Sequence, residues 1–130
     1  MKRLALIALL FASACAGGPA TPALGALAGS EWIMLNENRS ATPPTIAFGE
    51  DRASGYAGCN RWFAGAGATD QALDFQAVGT ARMMCSPPSM EAERAFTTAL
   101  GDTRGYRIEN GELVLFDVGG ADLARFRRTN

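Results

Sequence analysis

Three cysteines carry most of the chemistry open to this chain of 130 residues. Cys15 follows an apolar run, while Cys59 and Cys85 sit in Gly58-Cys59-Asn60-Arg61 and Thr80-Ala81-Arg82-Met83-Met84-Cys85. A thiol can be acylated, oxidised to a disulfide or used as a nucleophile, and its surroundings decide which. The chain has no histidine, and its only lysine is Lys2. Ser-His-Asp and Cys-His catalysis are thereby excluded, with the His-based zinc sites. So are a Walker phosphate loop and Schiff-base chemistry in the remainder of the chain. Glu91 and Glu93, two residues apart on a helix, do not face each other and read as solvated charges. Gly65-Ala66-Gly67 is too short to cradle a phosphate. No enzyme signature, metal-ligand set or cofactor motif is left.

The apolar run explains Cys15. Met1-Lys2-Arg3 is a positive start, and Leu4 to Phe11 is unbroken apolar sequence. That run is too short for a membrane anchor of about 20 residues and reads as a secretory signal. Ala12 and Ala14 suit cleavage. The cysteine that follows resembles the lipobox of bacterial lipoproteins, with Ala12 standing where leucine is usual. A lipobox cysteine is diacylated and becomes the new N-terminus. The expected organisation is therefore a signal peptide over 1–14, a lipidated Gly/Pro/Ala tether over 15–28 and a folded domain over 29–130. The expected partner at Cys15 is the membrane. Ala16, where Asp would retain a lipoprotein in the inner membrane, points to the outer one. The competing reading is ordinary signal cleavage, leaving a soluble periplasmic protein.

An exported chain meets an oxidising compartment, so Cys59 and Cys85 are expected to pair. Closing the segment 59–85 is worth roughly 3.5 kcal/mol by loop entropy. A catalytic redox pair is the sharper alternative, but no Cys-x-x-Cys is present. Without Lys2 and Arg3 the chain has 10 basic against 13 acidic residues, a balance of −3. It has no basic stripe for nucleic acid. Arg125, Arg127 and Arg128 read as a solvated strand face.

The elements that must position these residues are short. Glu31–Glu37, Thr45–Phe48, Arg52–Asn60, Phe63–Thr69, Leu73–Phe75, Gln76–Arg82, Tyr106–Glu109, Glu112–Phe116 and Asp122–Arg128 are extended candidates. Asn110-Gly111 between two of them is a strong hairpin signal. One helix is expected after Ser86, with Pro87 at its first position and Gly101 closing it. It places Ala92, Phe96, Ala99 and Leu100 on one face. The fold class is α+β: a small antiparallel domain of about seven strands, a curled sheet or incomplete barrel, with one helix inserted mid-chain.

At the cysteine pair the chain resembles a known family. Gly58-Cys59-Asn60-Arg61, Trp62-Phe63, Gly65-x-Gly67, Leu73 to Phe75 and Gly79-Thr80-Ala81-Arg82-Met83-Met84-Cys85 are similar to the META domain of HslJ-like lipoproteins. Glu91-x-Glu93-x-x-Phe96, Leu113-x-Leu115 and the opening Leu27-Ala28-Gly29-Ser30-Glu31-Trp32 extend the likeness over roughly Leu24 to Arg128. The resemblance implies a small β-rich domain with one helix, exported, often lipidated and associated with heat shock. It implies no enzymatic activity. The fold is also similar to that of a secretion pilot lipoprotein whose cracked barrel accommodates lipid.

The residues singled out for binding are Asn60, Arg61, Trp62, Thr80, Arg82, Met83 and Met84. Against that, Asn60 is expected to bond backbone at a strand end and Arg61 to pair with a carboxylate. Met83 and Met84 are expected to be core, rather than to line a flexible lipid-accepting pocket, and Trp32 and Trp62 to be core or rim packing. The functional expectation is a non-catalytic, stress-related or structural envelope protein that accepts a lipid or apolar segment between helix and sheet. The alternative is a periplasmic protein–protein module, an inhibitor or assembly pilot.

Overall fold

Strand periodicity and turn chemistry produce a meander that closes on itself. A computed structural model of the chain describes residues 23–36 and 42–130. The signal peptide, Cys15 and most of the tether lie outside the described residues. Eight antiparallel strands follow in order: β1 (Glu31–Met34), β2 (Thr45–Phe48), β3 (Arg52–Tyr56), β4 (Arg61–Thr69), β5 (Ala72–Thr80), β6 (Gly105–Glu109), β7 (Glu112–Phe116) and β8 (Asp122–Arg128). The helix α1 (Pro87–Asp102) runs between β5 and β6.

The domain is β-rich with one helix, as the sequence indicates, but the sheet is a closed barrel of eight strands rather than a curled sheet of about seven. Closure comes from β1 pairing with β8, Ile33 opposite Arg127 and Met34 opposite Phe126. The candidates Leu73–Phe75 and Gln76–Arg82 are one strand, β5, whose register slips against β4 between Phe63 and Gly65. Ala77 takes a left-handed φ of 51° there, a conformation that L residues seldom adopt and that accompanies the local bulge. The thinnest seam is β5–β6, where Ala72 opposite Gly105 is the registered pair. The Leu73 N–H donates to the Arg104 carbonyl (3.1 Å) and the Tyr106 N–H to that of Gln71 (2.9 Å).

Period-two alternation fills the barrel. Trp32, Ile46, Phe48, Ala53, Trp62, Ala64, Ala66, Leu73, Phe75, Leu113, Leu115 and Phe126 are buried in one cluster. Helix α1 inserts Phe96 and Leu100 into it. Phe96 meets the Trp62 ring edge-on (centroids 5.8 Å apart) and the Phe126 ring (6.4 Å). Trp62 and Trp32 are core, and each indole N–H is satisfied: Trp62 donates to the Thr45 carbonyl (2.9 Å), Trp32 to the Ser30 hydroxyl (2.7 Å).

Two boundaries move, and one cap differs in its bonding. Leu24 and Leu27 are buried core residues, so packed structure begins inside the segment expected to be tether. The helix passes through Gly101 and ends at Asp102, capped by Thr103, whose N–H and hydroxyl bond the Leu100 and Ala99 carbonyls. Ser86 occupies the N-cap position, but its hydroxyl faces that of Ser89 (3.2 Å) instead of a backbone N–H. The Asn110-Gly111 hairpin forms as expected, with both residues at positive φ (53° and 78°).

Candidate functional site: an apolar cleft and a disulfide-braced corner

Where α1 lies against the end of the barrel, a cleft of about 470 Å³ remains. One wall is Met34 of β1 with Leu123 and Ala124 of β8. The other is the helix face carrying Ala92, Ala95, Phe96 and Ala99. Three alanines at helical spacing are too short to reach the strands opposite, and that shortfall is the space. Asn36, Ser86 and Ser89 stand at the rim. Among the described residues no titratable side chain lines the cleft. Its volume falls in the range of small-ligand sites, and what it can do chemically is cover apolar surface.

A larger depression of about 930 Å³ lies between the β4–β5 hairpin and the last helical turn. It is lined by Leu73, Phe75 and small residues, with Asp74 and Arg104. The Arg104 guanidinium is already occupied by the Gly101 and Thr103 carbonyls (2.8 and 2.7 Å). The smaller cleft is the better formed for an apolar ligand.

Beside the N-terminal end of α1 the two cysteines are joined, Cys59 to Cys85, with Cα atoms 6.0 Å apart. Gly58 has φ +113°, and a Cβ on it would come within 3.3 Å of the Ala92 side chain and 3.2 Å of the Glu93 backbone. Glycine therefore lets the turn 57–60 sit directly on the helix. Asn60 is buried and bonds in every direction. Its side-chain oxygen accepts the Met83 N–H (2.8 Å), while its amide nitrogen donates to the Met83 carbonyl (3.2 Å) and to Glu93 Oε2 (3.2 Å). Its backbone N–H donates to Glu93 Oε1 (2.7 Å). The expectation that Asn60 bonds backbone holds, but the reading of Glu93 as a solvated charge fails. Glu93 is only 8% exposed, because the turn covers it and supplies the donors that a buried carboxylate requires.

The remaining singled-out residues separate. Trp62 is core, and Thr80 ends β5 opposite it. Arg61 and Arg82 are exposed, and among the described residues neither has a carboxylate within ion-pair distance. Met83 and Met84 are not core: they are 63% and 89% exposed, on the segment between β5 and α1 that Asn60 and the disulfide hold outside the barrel. No local pattern distinguishes a buried Met-Met from a displayed one. The cleft was legible only as a helix face rich in alanine.

The C-terminal arginines are not simply solvated. Arg107 chelates Asp122 (2.8 and 3.0 Å) and bonds Glu109 (2.8 Å), while Arg125 lies 3.6 Å from Glu109 and 3.7 Å from Glu112. The Arg107 hydrogen bonds hold the Glu109 and Asp122 carboxyls below their usual range, with the Arg125 charge adding to the effect at Glu109. The same bonds raise Arg107. The Arg128 guanidinium lies 5.8 Å over the Trp32 ring.

Comparison with known proteins agrees with this architecture. The model of the META domain matches residues 25–130. A protein from Burkholderia xenovorans solved by NMR is similar at 24% identity with a TM-score of 0.65, covering 96% of this chain and 99% of its own. A second protein solved by NMR is 19% identical with a TM-score of 0.57, covering 76% of this chain and 88% of its own. No curated protein sequence matches. At these identities the likeness to the two solved structures speaks for the fold alone.

Proposed function

The chain belongs to the META domain family, and from that premise we propose that it is an exported envelope protein that acts by binding rather than catalysis. In this reading acylated Cys15 anchors it to the outer membrane. The domain then holds an acyl chain or apolar segment in the cleft between α1, β1 and β8, in a structural or stress-related role. The observation that carries the reading is the cleft itself: about 470 Å³, walled by aliphatic side chains and Phe96, with polar groups confined to the rim. Alanines at 92, 95 and 99 keep it open, whereas leucines there would fill it.

Native mass spectrometry of the protein with fatty acids and phospholipids, alongside chemical-shift mapping, tests this. Binding is expected to shift the resonances of Met34, Phe96 and Leu123 and to be lost in Ala99→Trp, which plugs the cleft from the half-buried side of the helix. A protein that retains no lipid and shows no shift at those residues would overturn the ligand. Intact-mass analysis of membrane-extracted protein checks the anchor separately, through the added mass of acylation at Cys15.

A further inference from the structure

The outer surface of β3, β4 and the end of β5 combines two features. Residues 52–69 and 75–90 contain no Asp or Glu, in a chain where acidic residues outnumber basic ones 13 to 12. They contribute Arg52, Arg61 and Arg82, all exposed. The same surface leaves large apolar groups in water: Phe63 at 51%, with Met83 and Met84 already noted.

The register places these groups together. Phe63 lies opposite Ser54 on one side and Gly79 on the other. Its ring crosses Gly79 so closely that a Cβ there would come within 2.7 Å of it. Arg61 is two residues along β4 on the same outer face, and Arg52 lies two residues from Ser54 on β3, so arginines flank the ring on both sides. The Ala81 N–H donates to the Arg61 carbonyl (3.0 Å), which carries the path of β5 past the start of β4 and sets Arg82, Met83 and Met84 beyond it. In the row of Phe63 the nearest carboxylate among the described residues is Glu31, three strands away on β1. Glu31 lines one shallow depression with Arg61 but is not within ion-pair distance of it. Glu93, close to the corner, is turned inward onto Asn60.

The tip is also held. Asn60 grips both backbone groups of Met83, and Cys85 is bonded to Cys59. Little backbone freedom is therefore lost when the methionines meet a surface. A projecting apolar tip between cations has the form of an element that enters a lipid interface, whereas a peptide needs a groove. We propose that this face docks on an anionic phospholipid bilayer. Phe63, Met83 and Met84 enter the boundary between headgroups and acyl chains, and Arg52, Arg61 and Arg82 lie on the phosphates. The face is separate from the cleft and requires no acyl group on Cys15.

The test uses the exported chain carrying Cys15→Ser, sedimented with phosphatidylglycerol–phosphatidylcholine vesicles and with phosphatidylcholine vesicles. Retention is expected on the anionic vesicles and weakens as salt is raised. Arg61→Gln and Arg82→Gln each reduce it about fivefold. Met83→Ser with Met84→Ser abolishes it. Ala99→Trp in the cleft and Val118→Ser, an exposed apolar residue on the β7–β8 turn, leave it unchanged. Thermal midpoints equal to the parent's in the exposed-residue variants exclude unfolding as the cause. Absence of retention on both vesicles overturns the proposal. So does equal retention on both that ignores the arginines, or capture of an acidic envelope protein by these residues without vesicle binding.

Discussion

Across β6, β7 and β8 the outer surface is closed by its own charges, whereas across β3, β4 and β5 comparable positions are left to the solvent. On the first face Val114 lies between Arg107 and Arg125 and is fully buried, although it points away from the barrel. Its strand partners Arg107 and Arg125 pair through their heads with Glu109, Glu112 and Asp122. On the second face Phe63 has serine and glycine as strand partners, and among the described residues Arg52, Arg61 and Arg82 have no carboxylate within ion-pair distance. The interiors differ as well. β7 and β8 fill their share of the core with Leu113, Leu115 and Phe126, while β3 and β4 present Ala53, Ala64 and Ala66 beside Trp62. Small residues on one half make room for the helix. Phe96 of the helix fills that space against Trp62 and also reaches Phe126, so the half with small residues is the one that depends most on an insertion from outside the sheet.

Removing that insertion is the strongest challenge to the contrast. Phe96→Ala is expected to cost about 3–5 kcal/mol in urea unfolding. Hydrogen exchange should accelerate first in α1 and β5 and last in β7, and an equal loss in β7 would break the distinction. Removing the brace comes next. Cys59→Ala with Cys85→Ala should cost roughly 3.5 kcal/mol. Trypsin should then cut after Arg82 well before Arg107, which the ion pairs and the β6–β7 ladder protect. Cutting at similar rates would show that Asn60 alone holds the corner.

The smallest effect belongs to the charged face. The carboxyls of Glu109 and Asp122 are lowered in the folded protein, so their contribution is present above the unfolded values of about 3.9–4.3 and is lost as pH falls through the folded ones. Asp122→Asn is expected to flatten the acid side of a thermal-midpoint profile slightly and to leave pH 7–9 without slope. A larger response than that of the disulfide variant would reverse the order of the two faces.

Much of this was readable in local pattern. Asn110-Gly111 set a hairpin, because both positions need positive φ. Ser86-Pro87 set the start of a helix, because proline there loses no intrahelical bond. The residues around Cys59 and Cys85 carried the family, and the pairing of those cysteines was expected from the reading of residues 1–14 as a secretory signal. The cleft was only half legible: Ala92, Ala95 and Ala99 lie at helical spacing, but the opposing Met34 and Leu123 come from strands distant in sequence.

By itself, then, the sequence determined element types, turn chemistry, the absence of histidine chemistry and the expectation of a cysteine pair, which depend on local pattern or on composition and not on how distant segments meet. Tertiary structure alone decided that β1 meets β8, that Glu93 turns inward and that Met83 and Met84 turn outward. The first depends on register between distant strands, and the other two on the contacts that Asn60 and the disulfide make across the fold. A shift of one residue exchanges the faces of a strand without changing any local spacing.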